Sequence, residues 1–288
     1  MTEPAWTVAE PRKLTFEDPV TALSVRIVNG TVNVVGIEEG PARLEVSALD
    51  GPPLTVTHQD GTLTVTYEDL PWKGFLKWLD PQGPQRSAVV SLAVPAGSSV
   101  ALGVIGAGAV VSRIAGRTDV RGVTGDITLV GLSGAVRADT VAGGVEAQGL
   151  TGDLRFHSVS GDLTVVDGSG SSVRADSVSG DMVVDVDPAG KPTDIALTSV
   201  SGEVAIRLPH PADATVEANT ATGSVSNAFE DLRVTGQWGA KRITGTLGTG
   251  SGRLRATTLS GSIALLRRPP AGDDDLYDAD APADKKVL

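Results

Sequence analysis

Glycine recurs at a constant spacing of nine residues through the middle of the chain, at positions 116, 125, 134, 143, 152, 161 and 170. Most of these glycines belong to short phrases that repeat with small changes, such as Val-Ser-Gly-Asp at 159–162 and at 178–181. Glycine is typical of tight turns, and the valine, threonine, leucine and isoleucine between the phrases are typical of strands. The spacing therefore predicts a regular array of short strands joined by single-glycine turns.

Two kinds of strand alternate between the glycines, so the nine-residue spacing is half of the structural repeat. One kind begins with the glycine phrase, and the other begins with an aliphatic and a polar residue, as in Val136-Arg-Ala-Asp-Thr140. The third residue of this second kind forms a column with spacings of 16 to 22 residues, namely Ala138, Phe156, Ala175, Leu197, Ala218, Ala240 and Ala256. The full period is therefore about twenty residues, the length of one supersecondary unit in a repeat protein.

A unit of this size cannot bury its own apolar face, but stacked copies can. We therefore predict an all-β fold, a repetitive β-solenoid of β-helix or β-roll type, with the column and Trp238 pointing inward. An antiparallel meander or sandwich also has strands every 8–12 residues and is the competing architecture. In a parallel, in-register stack, His157 would lie between Asp139 and Asp176, which belong to the neighbouring strands ~4.8 Å away on either side.

The repeat divides the chain into regions. Residues 1–19 are predicted to form an irregular arm whose Trp6 and Phe16 dock onto the body. Residues 20–268 form one solenoid domain, less regular over 20–104 and regular over 105–268, and the Asn29-Gly30 dipeptide predicts a hairpin near its start. Residues 269–288 are predicted to be an acidic, disordered tail.

One short helix is expected near 72–79, because Trp72, Phe75, Leu76 and Leu79 have the spacing i, i+3, i+4, i+7. Such a helix would cap an open end or cover a flank of the strand stack. Alternatively, it would contact a partner or a membrane surface. The candidate contact residues in that case are Trp72, Lys73, Phe75, Lys77 and Trp78.

Charge and composition exclude several classes of function. The formal net charge is −11 and no basic stripe occurs, so a nucleic-acid partner is not expected. The chain has no cysteine, which excludes disulfides and thiolate chemistry. The N-terminal residues lack the apolar run of a signal peptide, and no stretch has the ~18 apolar residues of a spanning helix. A cytoplasmic location is therefore expected, with peripheral membrane association as the alternative.

No constellation for catalysis or for cofactor binding stands out. The aspartates of the glycine phrases (Asp126, Asp153, Asp162 and Asp181) resemble a calcium-binding β-roll only loosely. Ordinary turn chemistry is the simpler interpretation, with glycine at positive φ and Asp or Ser bonding the local backbone. His58, His157 and His210 have no metal-ligand spacing. We expect no enzyme, no cofactor and no metal site, and keep a weak calcium or carbohydrate binder and an unrecognised hydrolase as alternatives.

Several phrases of this chain are similar to those of a known protein family, over about residues 20–266. They are the repeated Ser-Val-Ser-Gly-Asp phrases, Ile27-Val-Asn-Gly-Thr-Val32 and Leu92-Ala-Val-Pro-Ala-Gly97. In these phrases the chain resembles the bacterial adhesin-like family of β-strand-repeat proteins of unknown function, whose shape is compared to a toast rack. The resemblance implies a solenoid-like stack of strands and a place in or near the cell envelope, and it carries no catalytic residues. The expected function is a non-enzymatic binding or scaffolding module. The sequence leaves the oligomeric state open, since an uncovered end strand can pair with another chain.

Overall fold

The computed structural model describes residues 5–67, 86–187, 192, 194–237 and 239–268, and this part of the chain is all-β. Its first strands are β1 (Ala5–Val8), β2 (Arg12–Phe16), β3 (Ala22–Ile27), β4 (Asn29–Ile37), β5 (Ala42–Asp50), β6 (Leu54–Gln59), β7 (Thr62–Tyr67), β8 (Ser87–Pro95) and β9 (Ser99–Val104). The regular repeats contain β10 (Gly108–Ser112), β11 (Thr118–Gly122), β12 (Ile127–Val130), β13 (Val136–Asp139), β14 (Val145–Gln148), β15 (Leu154–His157), β16 (Leu163–Gly168), β17 (Ser172–Ser177), β18 (Met182–Val186), β19 (Asp194–Ser199) and β20 (Val204–Leu208). The last strands are β21 (Ala214–Thr220), β22 (Val225–Asn227), β23 (Leu232–Gln237), β24 (Ala240–Leu247), β25 (Gly252–Thr258) and β26 (Ile263–Arg267). The predicted helix near 72–79, Trp238 and the tail at 269–288 lie outside the described residues.

The strands form two long sheets that face each other across one apolar core. The 14-stranded sheet has the order β1-β6-β7-β3-β9-β11-β13-β15-β17-β19-β25-β21-β24-β23, and the 12-stranded sheet has the order β2-β5-β8-β4-β10-β12-β14-β16-β18-β20-β26-β22. Through the regular repeats, consecutive strands alternate between the sheets and pair in parallel with the strand one repeat away. The predicted solenoid is therefore confirmed, and antiparallel pairing occurs only near the two ends.

The predicted inward column is present with one exception. Register pairs connect Ala138, Phe156, Ala175, Leu197, Ala256 and Ala218 in that spatial order, and all six are buried. Ala240 was wrongly included, because it begins the antiparallel strand β24 and is exposed. On the outer surface, His157 pairs in register with Asp139 and Asp176, and its Nδ1 lies 3.3 Å from the Asp176 carboxylate, as the parallel stack predicts.

The last repeat does not stack at the end of the solenoid. Strand β25 lies between β19 and β21, and β26 lies between β20 and β22, so the final strand pair is inserted into the stack. Strands β21 and β22 are thereby displaced outward by one repeat, and the β23–β24 hairpin extends the 14-stranded sheet beyond them.

A buried carboxylate holds the inserted pair in place. The Asp185 side chain on β18 is 4% exposed and is contacted by the guanidinium groups of Arg207 and Arg268. Arg268 follows β26 directly, and it also reaches Asp167 at 3.1 Å and Asp187 at 3.2 Å. We call Asp185, Arg207 and Arg268 the Asp185 clamp, because it ties the end of the last strand to strands that come much earlier in the chain.

The first residues are not irregular as expected. Strand β1 pairs antiparallel with β6 and strand β2 with β5, so each sheet gains an edge strand from this segment. Phe16 is buried, and the ring of Trp6 packs edge-on against it at 5.4 Å between centroids. The predicted docking of these two aromatic residues is therefore confirmed.

The Asn29-Gly30 hairpin prediction was wrong. Strand β3 belongs to the 14-stranded sheet and β4 to the 12-stranded sheet, so the dipeptide carries the chain around a corner between them. Gly30 does have a positive φ of 107°, which explains the turn signal. A Cβ atom at Gly30 would lie 2.1 Å from the Ala88 carbonyl oxygen, so close approach to the neighbouring strand also requires glycine.

The nine-residue glycine ladder serves close packing rather than backbone conformation. None of its seven glycines, all within the described chain, has a positive φ, so the expectation of positive φ at these glycines was wrong. The expected bond from serine to the local backbone is present, as at Ser158 and Gly161. A Cβ atom at Gly134, Gly143, Gly152, Gly161 or Gly170 would lie 1.9 to 2.2 Å from the carbonyl oxygen of the glycine one repeat earlier. The ladder therefore splits into two columns, one along each corner of the solenoid, in which successive backbones touch.

Candidate docking surface

The two corners of the solenoid differ in which side chains they bury. At one corner the chain passes from the 14-stranded to the 12-stranded sheet through phrases such as Ser158-Val-Ser-Gly161. At the other it returns through phrases such as Gly149-Leu-Thr-Gly152. We call the first the valine corner and the second the leucine corner.

A left-handed residue turns the aliphatic side chain inward at the leucine corner. Arg113, Gly131, Gly149 and Asp167 occupy the same place in successive repeats and have φ values of 53° to 62°. This conformation interrupts the alternation of side chains along the strand. The next residues in three of these repeats, Ile114, Leu132 and Leu150, are consequently buried.

At the valine corner the alternation continues, so the hydroxyl is buried and the aliphatic side chain is exposed. Ser158, Ser177 and Ser199 are 8%, 7% and 3% exposed, in line with the inward residues of the preceding strands. Each serine hydroxyl accepts a hydrogen bond from the amide N–H of the corner glycine three residues later, at 2.7, 3.0 and 2.9 Å. This bond satisfies a buried donor, and it leaves the following valine on the outside.

The outward residues of the valine corner form a continuous apolar stripe. Five of them lie in successive repeats and are 41% to 58% exposed: Val141, Val159, Val178, Val200 and Leu259. Because parallel strands are ~4.8 Å apart, the stripe is ~19 Å long. We call these five residues the valine ridge. Contiguous exposed apolar surface of this kind marks interaction sites.

Carboxylates border the valine ridge on both sides. Towards the 12-stranded sheet, Asp162, Asp181 and Glu203 are exposed in three successive repeats, and we call them the acidic flank. Asp162 accepts a hydrogen bond from the Asp181 N–H at 2.8 Å, and Asp181 accepts one from the Glu203 N–H at 2.7 Å, so the aspartates are held in a fixed place. Within the part of the chain that the structure describes, these three carboxylates form no ion pair. Asp139 and Asp176 lie on the other side.

The structure does not describe the contact residues that the sequence predicts. Trp72, Lys73, Phe75, Lys77 and Trp78 all fall outside the described residues, so the structure places none of them. The ridge itself was not anticipated from the sequence. The signal for it was present in the Ser-Val-Ser-Gly phrases, because an inward serine in a buried strand end forces the next residue outward.

The acidic and histidine side chains do not gather into a metal-binding cluster in the described part of the chain. No group of three or more His, Asp or Glu residues is arranged there to hold a metal ion. The phrase aspartates accept backbone hydrogen bonds from the next repeat instead, as Asp126 does from the Gly144 N–H at 3.0 Å. No described helix is long and apolar enough to cross a membrane.

A depression with a volume of about 710 Å³ lies on the outer face of the 14-stranded sheet. Small residues, Ala101 and Gly103, line its centre, and Arg26, Arg117 and Arg121 stand around it. Arg117 donates two hydrogen bonds to Asp119, at 2.7 and 3.1 Å, and this pairing lowers the pKa of that carboxyl. A carboxylate that is held charged by a neighbouring arginine is a poor general acid, and no histidine lines the depression.

Comparison with known proteins agrees with this architecture. The family described as Toastrack DUF4097 matches residues 23–266. The crystal structure of an adhesin candidate from Bacteroides fragilis NCTC 9343 aligns with 90% of this chain and 98% of its own, with a TM-score of 0.50 and 12% identity. An adhesin candidate from Parabacteroides merdae ATCC 43184 aligns with 89% of this chain and 95% of its own, with a TM-score of 0.41 and 9% identity. No curated protein matches the chain significantly. Because the family match spans most of the sequence, the chain belongs to the Toastrack DUF4097 family.

Proposed function

We propose that this protein is a non-enzymatic binding and scaffolding module that docks a protein partner along the valine ridge. The observation that carries the proposal is the exposure of five stacked aliphatic side chains at one corner, while their counterparts at the other corner are buried. The name of the similar adhesin candidate from Bacteroides fragilis agrees with a binding role.

The size of the ridge sets the strength of the expected interaction. Fully burying a valine or leucine side chain contributes about 1.5–3 kcal/mol, so covering five half-exposed ones contributes roughly 4–7.5 kcal/mol. Association itself costs at least about 4 kcal/mol in lost translational and rotational freedom. The ridge would therefore give only weak docking by itself, and a stable complex needs further contacts beside it.

Replacing Val159, Val178 and Val200 together by serine is expected to abolish partner binding while leaving the fold intact. These side chains are half exposed, so each change should alter the free energy of unfolding by no more than about 0.5 kcal/mol. The measurement is affinity purification from the native cell, with soluble and membrane fractions kept apart, followed by comparison of the proteins retained by the wild type and by the variant.

The matched control replaces three aliphatic residues of similar exposure elsewhere by serine, namely Val183, Val234 and Leu266, which are 45%, 52% and 41% exposed. The control variant should retain the same partners as the wild type. If the ridge variant also retains them, the ridge is not the docking surface.

Recruitment to a membrane surface is a second candidate function, and the sequence of 72–79 supports it. Tryptophan and lysine together are typical of segments that lie at a membrane interface. The expected result is co-sedimentation with anionic liposomes that is lost when Trp72 and Trp78 are both replaced by alanine and is kept by the ridge variant. An intact protein that does not sediment with liposomes would exclude this candidate.

A further inference from the structure

The backbone beneath the valine ridge is already engaged in bonds between repeats. The amide of Ser160 donates to the Val141 carbonyl at 2.8 Å, that of Ser179 to Val159 at 2.9 Å, and that of Ser201 to Val178 at 3.0 Å. The same serine hydroxyls donate to the same carbonyls at 3.2 to 3.3 Å. A partner cannot add a strand here, because strand addition needs free backbone donors and acceptors. The surface consists of valine side chains between satisfied polar groups, so covering it leaves no new unpaired donor at these positions.

The spacing of the ridge suits a helix that lies along it. Successive ridge side chains are ~4.8 Å apart, and one turn of an α-helix rises ~5.4 Å. A helix with apolar residues at i, i+3, i+4 and i+7 would therefore place about one apolar side chain against each repeat over the ~19 Å length of the ridge. This length corresponds to about 13 helical residues at ~1.5 Å each.

The charges beside the ridge determine which charge the polar face of that helix should carry. The acidic flank presents one carboxylate in each of three successive repeats, with no ion-pair partner within the described ranges. Asp139 and Asp176 add negative charge on the other side, where Arg121 and Arg137 balance that of Asp139 in part. A helix whose polar face carries lysine or arginine would be attracted on the flank side, whereas an acidic helix or an anionic lipid surface would be repelled.

We propose that the partner of the valine ridge is a short cationic amphipathic helix of another protein, a proposal that rests on the proposed docking function. The apolar face of the helix covers the valine ridge, and its basic residues lie against Asp162, Asp181 and Glu203. Neither the apolar contact nor the ion pairs would hold the helix alone, because burial of the ridge adds little binding free energy and exposed ion pairs add little more.

The test uses the full chain and a synthetic helix of about 14 residues built from leucine and lysine, with leucines at i, i+3, i+4 and i+7. Binding is measured by fluorescence anisotropy at low and high salt. We expect a dissociation constant on the order of 1 mM at low salt for the wild type. The valine-to-serine ridge variant should weaken binding at least about tenfold, and the control with Val183, Val234 and Leu266 replaced should not.

The charge term is tested separately with the variant Asp162→Asn, Asp181→Asn and Glu203→Gln. Asparagine retains a carbonyl oxygen for the backbone hydrogen bonds that these aspartates accept, so the change removes charge with little change in shape. It should weaken peptide binding several-fold and reduce its dependence on salt. Replacing the exposed Glu146 on the 12-stranded sheet by glutamine is the matched control and should have no effect. The peptide with glutamate in place of lysine, and a leucine–lysine peptide of the same composition without the stripe, should not bind.

The same assays distinguish the proposed helix from other possible occupants of the valine ridge. The inference is overturned if the ridge variant binds the peptide as tightly as the wild type. It is also overturned if sedimentation shows a homodimer that the ridge variant dissociates, or if anionic vesicles bind in a ridge-dependent way. A gain in peptide affinity of about tenfold upon Trp72→Ala with Trp78→Ala would assign the ridge to this chain's own segment and would likewise overturn it. If the native partner depends on the ridge but the peptide does not bind, the proposed function stands and the helix inference falls.

Discussion

Replacing Gly152 by alanine is expected to destabilise the protein by about 3 kcal/mol or more. The new Cβ would lie 1.9 Å from the carbonyl oxygen and 2.6 Å from the carbonyl carbon of Gly134 in the neighbouring repeat. Both atoms are backbone and cannot turn away as a flexible side chain would, so neighbouring repeats must separate at this corner. Gly152 does not have a positive φ, so the loss would come from packing and not from backbone strain. Urea unfolding, followed by circular dichroism, measures the change.

Gly97→Ala is the matched control for this experiment. Gly97 also lies in a turn, but beyond its chain neighbours no heavy atom lies within 4 Å of the position that a Cβ atom would take there, and its φ is not positive. Alanine there should be neutral, or stabilising by up to about 1 kcal/mol, because it restricts the unfolded chain. A Gly152→Ala protein that unfolds at the same urea concentration as Gly97→Ala would contradict the close-packing role of the ladder.

Replacing Asp185 by alanine is expected to cost about 2–3 kcal/mol, because it removes charged hydrogen bonds from a buried carboxylate to two guanidinium groups. The change would leave Arg207 and Arg268 beside each other without the carboxylate that both contact. It would also loosen the attachment of β26, which Arg268 follows directly. The measurement is urea unfolding at pH 7. The control is Asp167→Ala, which removes a 63% exposed partner of the same Arg268 and should cost less than about 1 kcal/mol.

The Asp185 clamp also predicts the direction of the pH dependence. Burial by itself would raise the pKa of Asp185, but hydrogen bonds and charge from Arg207 and Arg268 outweigh burial and hold the pKa below its ordinary value. A lowered folded-state pKa stabilises the fold at pH values above the unfolded pKa of about 3.9, and this stabilisation is lost as the pH falls further towards the folded pKa. The wild type should therefore lose stability below about pH 4. The Asp185→Ala protein should show a smaller loss, and equal acid sensitivity in the two proteins would contradict the clamp.

Residue patterns specify the repeat well, because each repeat meets the same two requirements. Alternation places Ala138, Phe156 and Ala175 inside, and a corner glycine admits the backbone of the neighbouring repeat. The outer-surface prediction that His157 lies between two aspartates followed from this register alone. The helix near 72–79 and the disordered tail stay predictions.

The order of the last repeats could not be predicted, for a physical reason. Strands β21 and β25 both carry the same pattern, an aliphatic residue, a charged residue, alanine and a polar residue, in Val216–Asn219 and Leu254–Thr257. Either strand can therefore pair with β19, and nothing local shows that β25 does so. The valine ridge was missed for a different reason. An aliphatic residue stands beside a hydroxyl residue at both corners, and the corners differ in the residue that precedes the aliphatic one. That residue is an inward hydroxyl such as Ser158 at the valine corner and a left-handed residue such as Gly149 at the leucine corner.

The inserted strand pair has a consequence for the order in which the protein can assemble during synthesis. A ribosome releases β19 and β20 first and the β21–β24 segment next, but the place beside β19 belongs to β25, which emerges only afterwards. Strand β21 can pair with β24 once that strand emerges, but β21 and β22 cannot pair with β25 and β26 until the segment from Gly252 to Arg268 has left the exit tunnel. If they pair with β19 and β20 before that, they must then be displaced. The last two strands of the domain are therefore added between strands that were synthesised earlier. A stack that grew strictly in chain order could not reach this arrangement.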